Sequence, residues 1–133
     1  MVFESVNWLA VVAAAVAYFV IGMLWYSPLL FVNAWMRLAK VKPNKGSMVT
    51  SMLGGALTSL VTSAVLAAML VMTAQTGAYA GALLALWVWF GFVGTTTLGI
   101  VLWEGKPFSL WLLNNGYNLI GLVIIGLILG AWM

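Results

Sequence analysis

Four stretches of this chain are each long and apolar enough to cross a lipid bilayer, and no other feature limits its fold so tightly. A helix needs about 20 apolar residues to traverse roughly 30 Å of hydrocarbon. The stretches run near Asn7–Tyr26, Met48–Thr73, Tyr79–Trp103 and Pro107–Trp132. Backbone groups in lipid must be paired internally, which leaves helices or closed barrels, and runs of this length are helical. Composition agrees. Charged residues make up 5% of the chain, against roughly 25% in a soluble domain. Mean hydropathy is +1.16, so lipid is the solvent for most of the surface. The expectation is an all-α integral membrane bundle of four transmembrane helices in a single domain spanning residues 1–133.

The breaks between spans have their own chemistry. Ser27-Pro28 reads as an N-cap followed by proline at a first helical position. The segment 28–40 places Phe31, Trp35 and Leu38 on one face and Asn33, Arg37 and Lys40 on the other. That separation predicts a short amphipathic helix lying in the headgroup region. Lys42-Pro43-Asn44-Lys45-Gly46 and Gln75-Thr76-Gly77 read as turns. Glu104-Gly105-Lys106-Pro107 reads as a third, with Gly105 closing one helix and Pro107 opening the next. The first and third loops hold all five basic residues: Arg37, Lys40, Lys42, Lys45 and Lys106. Positive residues favour the cytoplasmic side, so both termini are expected outside the cytoplasm. Aromatic anchors fit, with Trp8, Trp87 and Trp132 toward one interface and Trp25, Trp103 and Trp111 toward the other.

Taken together, Asn7-Trp8-Leu9-Ala10, Trp25-Tyr26-Ser27-Pro28 with Phe31 and Trp35, and Glu104-Gly105-Lys106-Pro107 with Asn114, Gly116-Tyr117 and Gly126–Trp132 carry a resemblance. The chain resembles the small bacterial membrane proteins filed as domain of unknown function 1761, over nearly its whole length. The resemblance implies a four-helix protein of the bacterial cytoplasmic (inner) membrane. It implies no activity, substrate, cofactor or site residue.

Small residues recur at helical spacing. Ser51, Gly55, Ser59, Ser63 and Ala67 form a stripe on the second span, Gly91, Thr95 and Gly99 on the third, and Gly126 and Gly130 on the fourth. Lipid tails are as apolar as Leu, so helices associate through the close approach that small residues permit. A stripe this long on a short bundle points to a homo-oligomer as well as to packing within one chain.

Polar residues inside a span are costly and mark candidate sites. Asn114 and Asn118 share a face of the last span with Tyr117. They lie about 10 Å and about 16 Å along the helix from Pro107. Thr95 and Thr97 reach similar depths on the preceding span. With Glu104 at the mouth, these residues are the candidates for a polar vestibule or ligand site. The competing reading is that the amides and hydroxyls only lock helices together.

Cysteine and histidine are absent, and the two carboxylates, Glu4 and Glu104, fall on opposite membrane faces. The expectation is therefore no enzyme, no cofactor, no metal and no nucleic-acid partner. The first functional reading is an oligomeric structural or interaction protein that binds lipid or another membrane protein. The alternative is a small-solute or ion channel or transporter subunit. The orientation can be checked directly, because the chain lacks background thiols. A cysteine at Thr76 should react with an impermeant thiol reagent in intact cells, and one at Asn44 only after permeabilisation. The reverse pattern would overturn the topology.

Overall fold

The computed structural model describes residues 2–27, 30–39 and 45–132, with the side chains of 45–48 excepted. The candidate proline cap Pro28, together with Lys40, Lys42, Pro43 and Asn44, lies outside the described residues. Among the described residues, five helices follow a 3-10 turn at Val2–Glu4: α1 (Trp8–Trp25), α2 (Val32–Ala39), α3 (Lys45–Met72), α4 (Ala78–Leu102) and α5 (Phe108–Trp132). All but α2 are long and apolar enough to span a membrane, so the fold is an all-α multi-pass membrane bundle.

Local chemistry explains most boundaries. The Asn7 side chain accepts the Ala10 amide at 3.2 Å and so caps α1. The end of α3 is closed by the Gln75 amide on the Leu70 carbonyl and the Ala74 amide on the Val71 carbonyl, at 3.0 and 3.1 Å. These are the paired bonds of a Schellman closure, with Ala74 at φ 55° where glycine is usual. Gly105, at φ 69°, turns the chain after α4. Two expectations need correction. Ser27 does not cap the amphipathic helix: its hydroxyl donates back to the Leu24 carbonyl at 2.6 Å, and α2 begins only at Val32. Lys45 and Gly46, expected in a turn, already belong to α3. The predicted face separation of α2 does appear. Trp35 meets Tyr26 edge-on at 5.6 Å while Asn33 and Arg37 are exposed.

α5 is the central helix, lying between α1 and α4, with α3 packed mainly on α1 and touching α5 and α4 more lightly. Its two sides pack by different means. Toward α4 the backbones touch: the Gly77 amide donates to the Gly130 carbonyl at 2.8 Å. A Cβ on Gly81 would collide with the Gly126 carbonyl, and one on Gly130 with the Gly77 carbonyl. Toward α1, glycines receive aromatic rings. Tyr18 lies over Gly121, Trp25 over Gly116, and Tyr117 of α5 over Gly22 of α1. The α1–α3 seam uses Ala10, Ala14, Ser63 and Ala67, all buried, and the Ser63 hydroxyl donates to the Val11 carbonyl at 2.9 Å. Buried aliphatic residues (Val11, Leu66, Leu70, Leu122, Ile125, Leu129) gather at the end that holds the chain termini.

α4 departs from a simple span. Its first part, Ala78–Val88, is α-helical, but Trp89–Gly94 is π-helical, and a further irregularity falls at Leu98 before the last turn. Nothing in the hydrophobic pattern marks this change of hydrogen-bond register.

The backbone contact makes a sharp prediction. Gly126→Ala should destabilise the protein by about 1–3 kcal/mol, because a methyl must be forced between two backbones. Gly54→Ala, where a Cβ meets nothing within 4 Å, should be neutral or stabilising by about 0.5–1 kcal/mol. Thermal unfolding in one mild detergent compares them, and equal effects would refute the close-packing account.

Candidate functional site

The end of the bundle opposite the termini is organised by polar and aromatic side chains rather than by aliphatic ones. Among the described residues, seven hydrogen bonds converge on the first half of α5, four from the contact with α1 and three from that with α4. From α1, the Tyr18 hydroxyl donates to Asn118 Oδ1 at 3.0 Å and the Trp25 indole to the Leu113 carbonyl at 2.9 Å. Tyr26, just past the end of α1, donates its hydroxyl to Asn114 Oδ1 at 2.7 Å. In return, the Tyr117 hydroxyl donates to the Tyr18 carbonyl at 3.2 Å.

On the opposite side, the Trp89 indole donates to the Asn115 carbonyl at 3.0 Å and the Trp111 indole to the Gly94 carbonyl at 3.2 Å. Thr97 Oγ1 lies 3.0 Å from Asn115 Oδ1 and 2.6 Å from the Val93 carbonyl, so its single proton is shared between two acceptors. Asn115 ties the two sides together. Its Oδ1 also accepts from Asn118 Nδ2 at 3.3 Å, and its own amide donates to the Trp111 carbonyl at 3.1 Å. The result is a continuous polar track Tyr18–Asn118–Asn115–Thr97 that crosses three helices.

Asn114, Asn118, Tyr117 and Thr97, singled out from the sequence, come together in this layer and are all half-buried. Thr95 and Glu104 do not join it. Thr95 is exposed and bonds its own helix at the Gly91 carbonyl at 2.7 Å, and Glu104 is exposed in the turn after α4. Among the candidate packing residues, Ser59 and Ser63 are buried, as are Gly126 and Gly130. Gly55 meets the Phe19 ring at 3.6 Å from its Cβ side. Ser51 and Gly91 are exposed, and Gly99 is half-buried with only Trp103 near it.

Sequence reasoning missed Asn115 in this layer and two glycines beneath it. Asn115 is the most buried polar side chain of the layer, at 1% exposure. A signal for it exists: Asn115 is in helical phase with Leu122, Ile125 and Leu129, the buried face of α5. Gly77, read only as part of a turn, and Gly81, not singled out in the sequence, complete the α4–α5 contact.

This layer can position helices with high specificity, because its interhelical bonds pair particular donors with particular acceptors. Interhelical bonds in a bilayer contribute about 0.6 kcal/mol each, with larger values near 1.7. Asn115→Leu keeps the branched shape and the number of heavy atoms but leaves Asn118 Nδ2 without its acceptor, and should cost about 1–2 kcal/mol. Asn114→Leu strands only the Tyr26 hydroxyl near the end of the span, and should cost about 0.6 kcal/mol or less. Unfolding of both variants in one detergent checks the ranking. A reversed order would remove Asn115 from the centre of the layer.

A protein-family model described as "Protein of unknown function (DUF1761)" matches residues 9–130. Comparison with curated proteins and with solved structures gives no match. The family match covers every transmembrane helix, the aromatic–asparagine layer and the glycine contact beneath it, and the chain belongs to the DUF1761 family.

Proposed function

We propose that this protein is a non-enzymatic, oligomeric structural or interaction protein of the bacterial cytoplasmic membrane, binding lipid, further copies of itself or another membrane protein. Both termini face away from the cytoplasm in this reading, with Arg37 and Lys106 at the cytoplasmic end. The observation that carries it is that the polar layer is spent on itself. Among the described residues, no buried side-chain nitrogen or oxygen lacks a hydrogen-bond partner. A solute pathway needs groups with spare capacity to replace the water around its cargo. Here the amides of Asn115 and Asn118 are engaged on both oxygen and nitrogen by tyrosine, threonine, backbone and one another, and Asn114 is engaged through its oxygen by Tyr26.

Assembly is supported by what lies on the outside. Ser51 of α3 and Thr95 of α4, from the small-residue stripes, are exposed on the subunit. Such surfaces suit helix contacts between copies in lipid, where close approach replaces the hydrophobic effect. A second reading, a small-solute or ion channel or transporter subunit, keeps one observation in its favour. Asn114, Tyr117 and Asn118 are only half-buried, at one level of the bundle.

Native mass spectrometry in mild detergent, together with flux into liposomes, separates the two. The structural reading expects an oligomer that retains lipid or protein. It expects Asn118→Leu to lower stability by about 0.6 kcal/mol with no flux in either form. Solute flux that Asn118→Leu abolishes, with mass and stability unchanged, would replace it with the pathway.

A further inference from the structure

The two halves of α4 are held by different physics. From Ala78 to Val88 the helix is in backbone contact with α5 through Gly77, Gly81, Gly126 and Gly130. Beyond Val88 that contact gives way. The π-helical segment Trp89–Gly94 contains two glycines, and a Cβ on one of them, Gly91, would meet nothing within 4 Å. Three successive threonines follow. Thr95, Thr96 and Thr97 each donate to the carbonyl four residues back, on Gly91, Phe92 and Val93. Back-bonding of this kind bends helices, and π-helical turns interrupt their register.

α4 as a whole is lightly covered: of the candidate spans it is the least buried, with 11% of its window inside the bundle against 33% for α5. Exposed apolar side chains flank the second half, with Phe90 and Phe92 on the π-helical segment, Leu102 in the last turn and Trp103 beyond it, while residues 97–101 are half-buried. Polar contacts add to the attachment to α5: the Trp111 indole on the Gly94 carbonyl, where the π-helical segment ends, and Thr97 on Asn115, with the Trp89 indole at the base of the segment. Elements with few buried apolar contacts and a small set of hydrogen bonds open at low free energy.

We propose that Thr95–Leu102 is a hinged arm that pivots on the π-helical segment Trp89–Gly94 and is latched to α5 by the Trp111 bond to Gly94, where arm and pivot meet, and by Thr97. Release swings the arm away from α5 at the end opposite the termini and uncovers Asn115 and Asn118. The glycine contact at the other end stays closed as the fulcrum. The device operates whether the bundle is a scaffold or a pathway.

The absence of native cysteine allows paired spin labels in lipid nanodiscs. Labels at Met23 and Leu102 report the arm, and labels at Leu9 and Tyr79 report the closed end; all four positions are exposed. The double variant Thr97→Val/Trp111→Phe should raise the long-distance population of the first pair about tenfold, at about threefold per bond removed. The second pair should be unchanged. Adding Gly91→Ala, which stiffens the pivot without a clash, should return the first pair toward the wild-type distribution. A first pair indifferent to the double variant would overturn the latch. Both pairs broadening together would show general loosening and overturn the arm. An unlatched population that Gly91→Ala leaves intact would overturn the pivot.

Discussion

Everything in this bundle depends on how closely α5 can approach its neighbours. In lipid, two helices gain little by hiding aliphatic side chains from a solvent that is itself aliphatic. What remains is dispersion over closely matched surfaces and hydrogen bonds that lipid cannot offer. The Gly77–Gly130 backbone bond and the mutual exclusion of Cβ atoms at Gly81 and Gly126 are that approach at its limit. A helix pinned so tightly at one end becomes a reference for the others. Tyr18 and Trp25 of α1 find their glycine seats, at Gly121 and Gly116, along the same helix.

The bundle divides along the membrane normal into an aliphatic layer and a hydrogen-bonded one. At the end holding the termini, buried Val, Leu and Ala side chains fill the space. At the other end, rings and amides do so, and the helices are registered by specific donors and acceptors. A polar layer at one level suits a bundle that must resist rotation of its helices, because turning α5 by one residue would unpair Asn114, Asn115 and Asn118 together.

Much of this was legible in the sequence, for identifiable reasons. Spans, turns and the amphipathic faces of α2 follow from hydropathy and from Gly and Pro chemistry, both of which act over a few residues. The partial failures are equally physical. Ser27 was expected to cap the following helix, yet its hydroxyl closes the preceding one, because either use of a serine is local and the sequence contains both options. Asn115 escaped notice while Asn114 and Asn118 did not. A pair four residues apart is conspicuous, whereas an asparagine in phase with leucines looks like an interruption of the core.

The sequence by itself determined that the chain is a helical membrane protein, where it crosses, where it turns, and that it has no imidazole or thiol chemistry. Those properties are sums over local composition and hold for any packing of the helices. Tertiary structure alone decided that α5 is central, that its glycines face two different partners in two different ways, and that Asn115 joins α1 to α4 through Asn118 and Thr97. It also decided which small residues stay outside, Ser51 and Gly91 among them. The deciding contacts link residues as far apart in sequence as Tyr18 and Asn118. Each depends on the rotation of a whole helix about its axis, and in lipid no amphipathic pattern encodes that rotation, since both faces of a span are apolar.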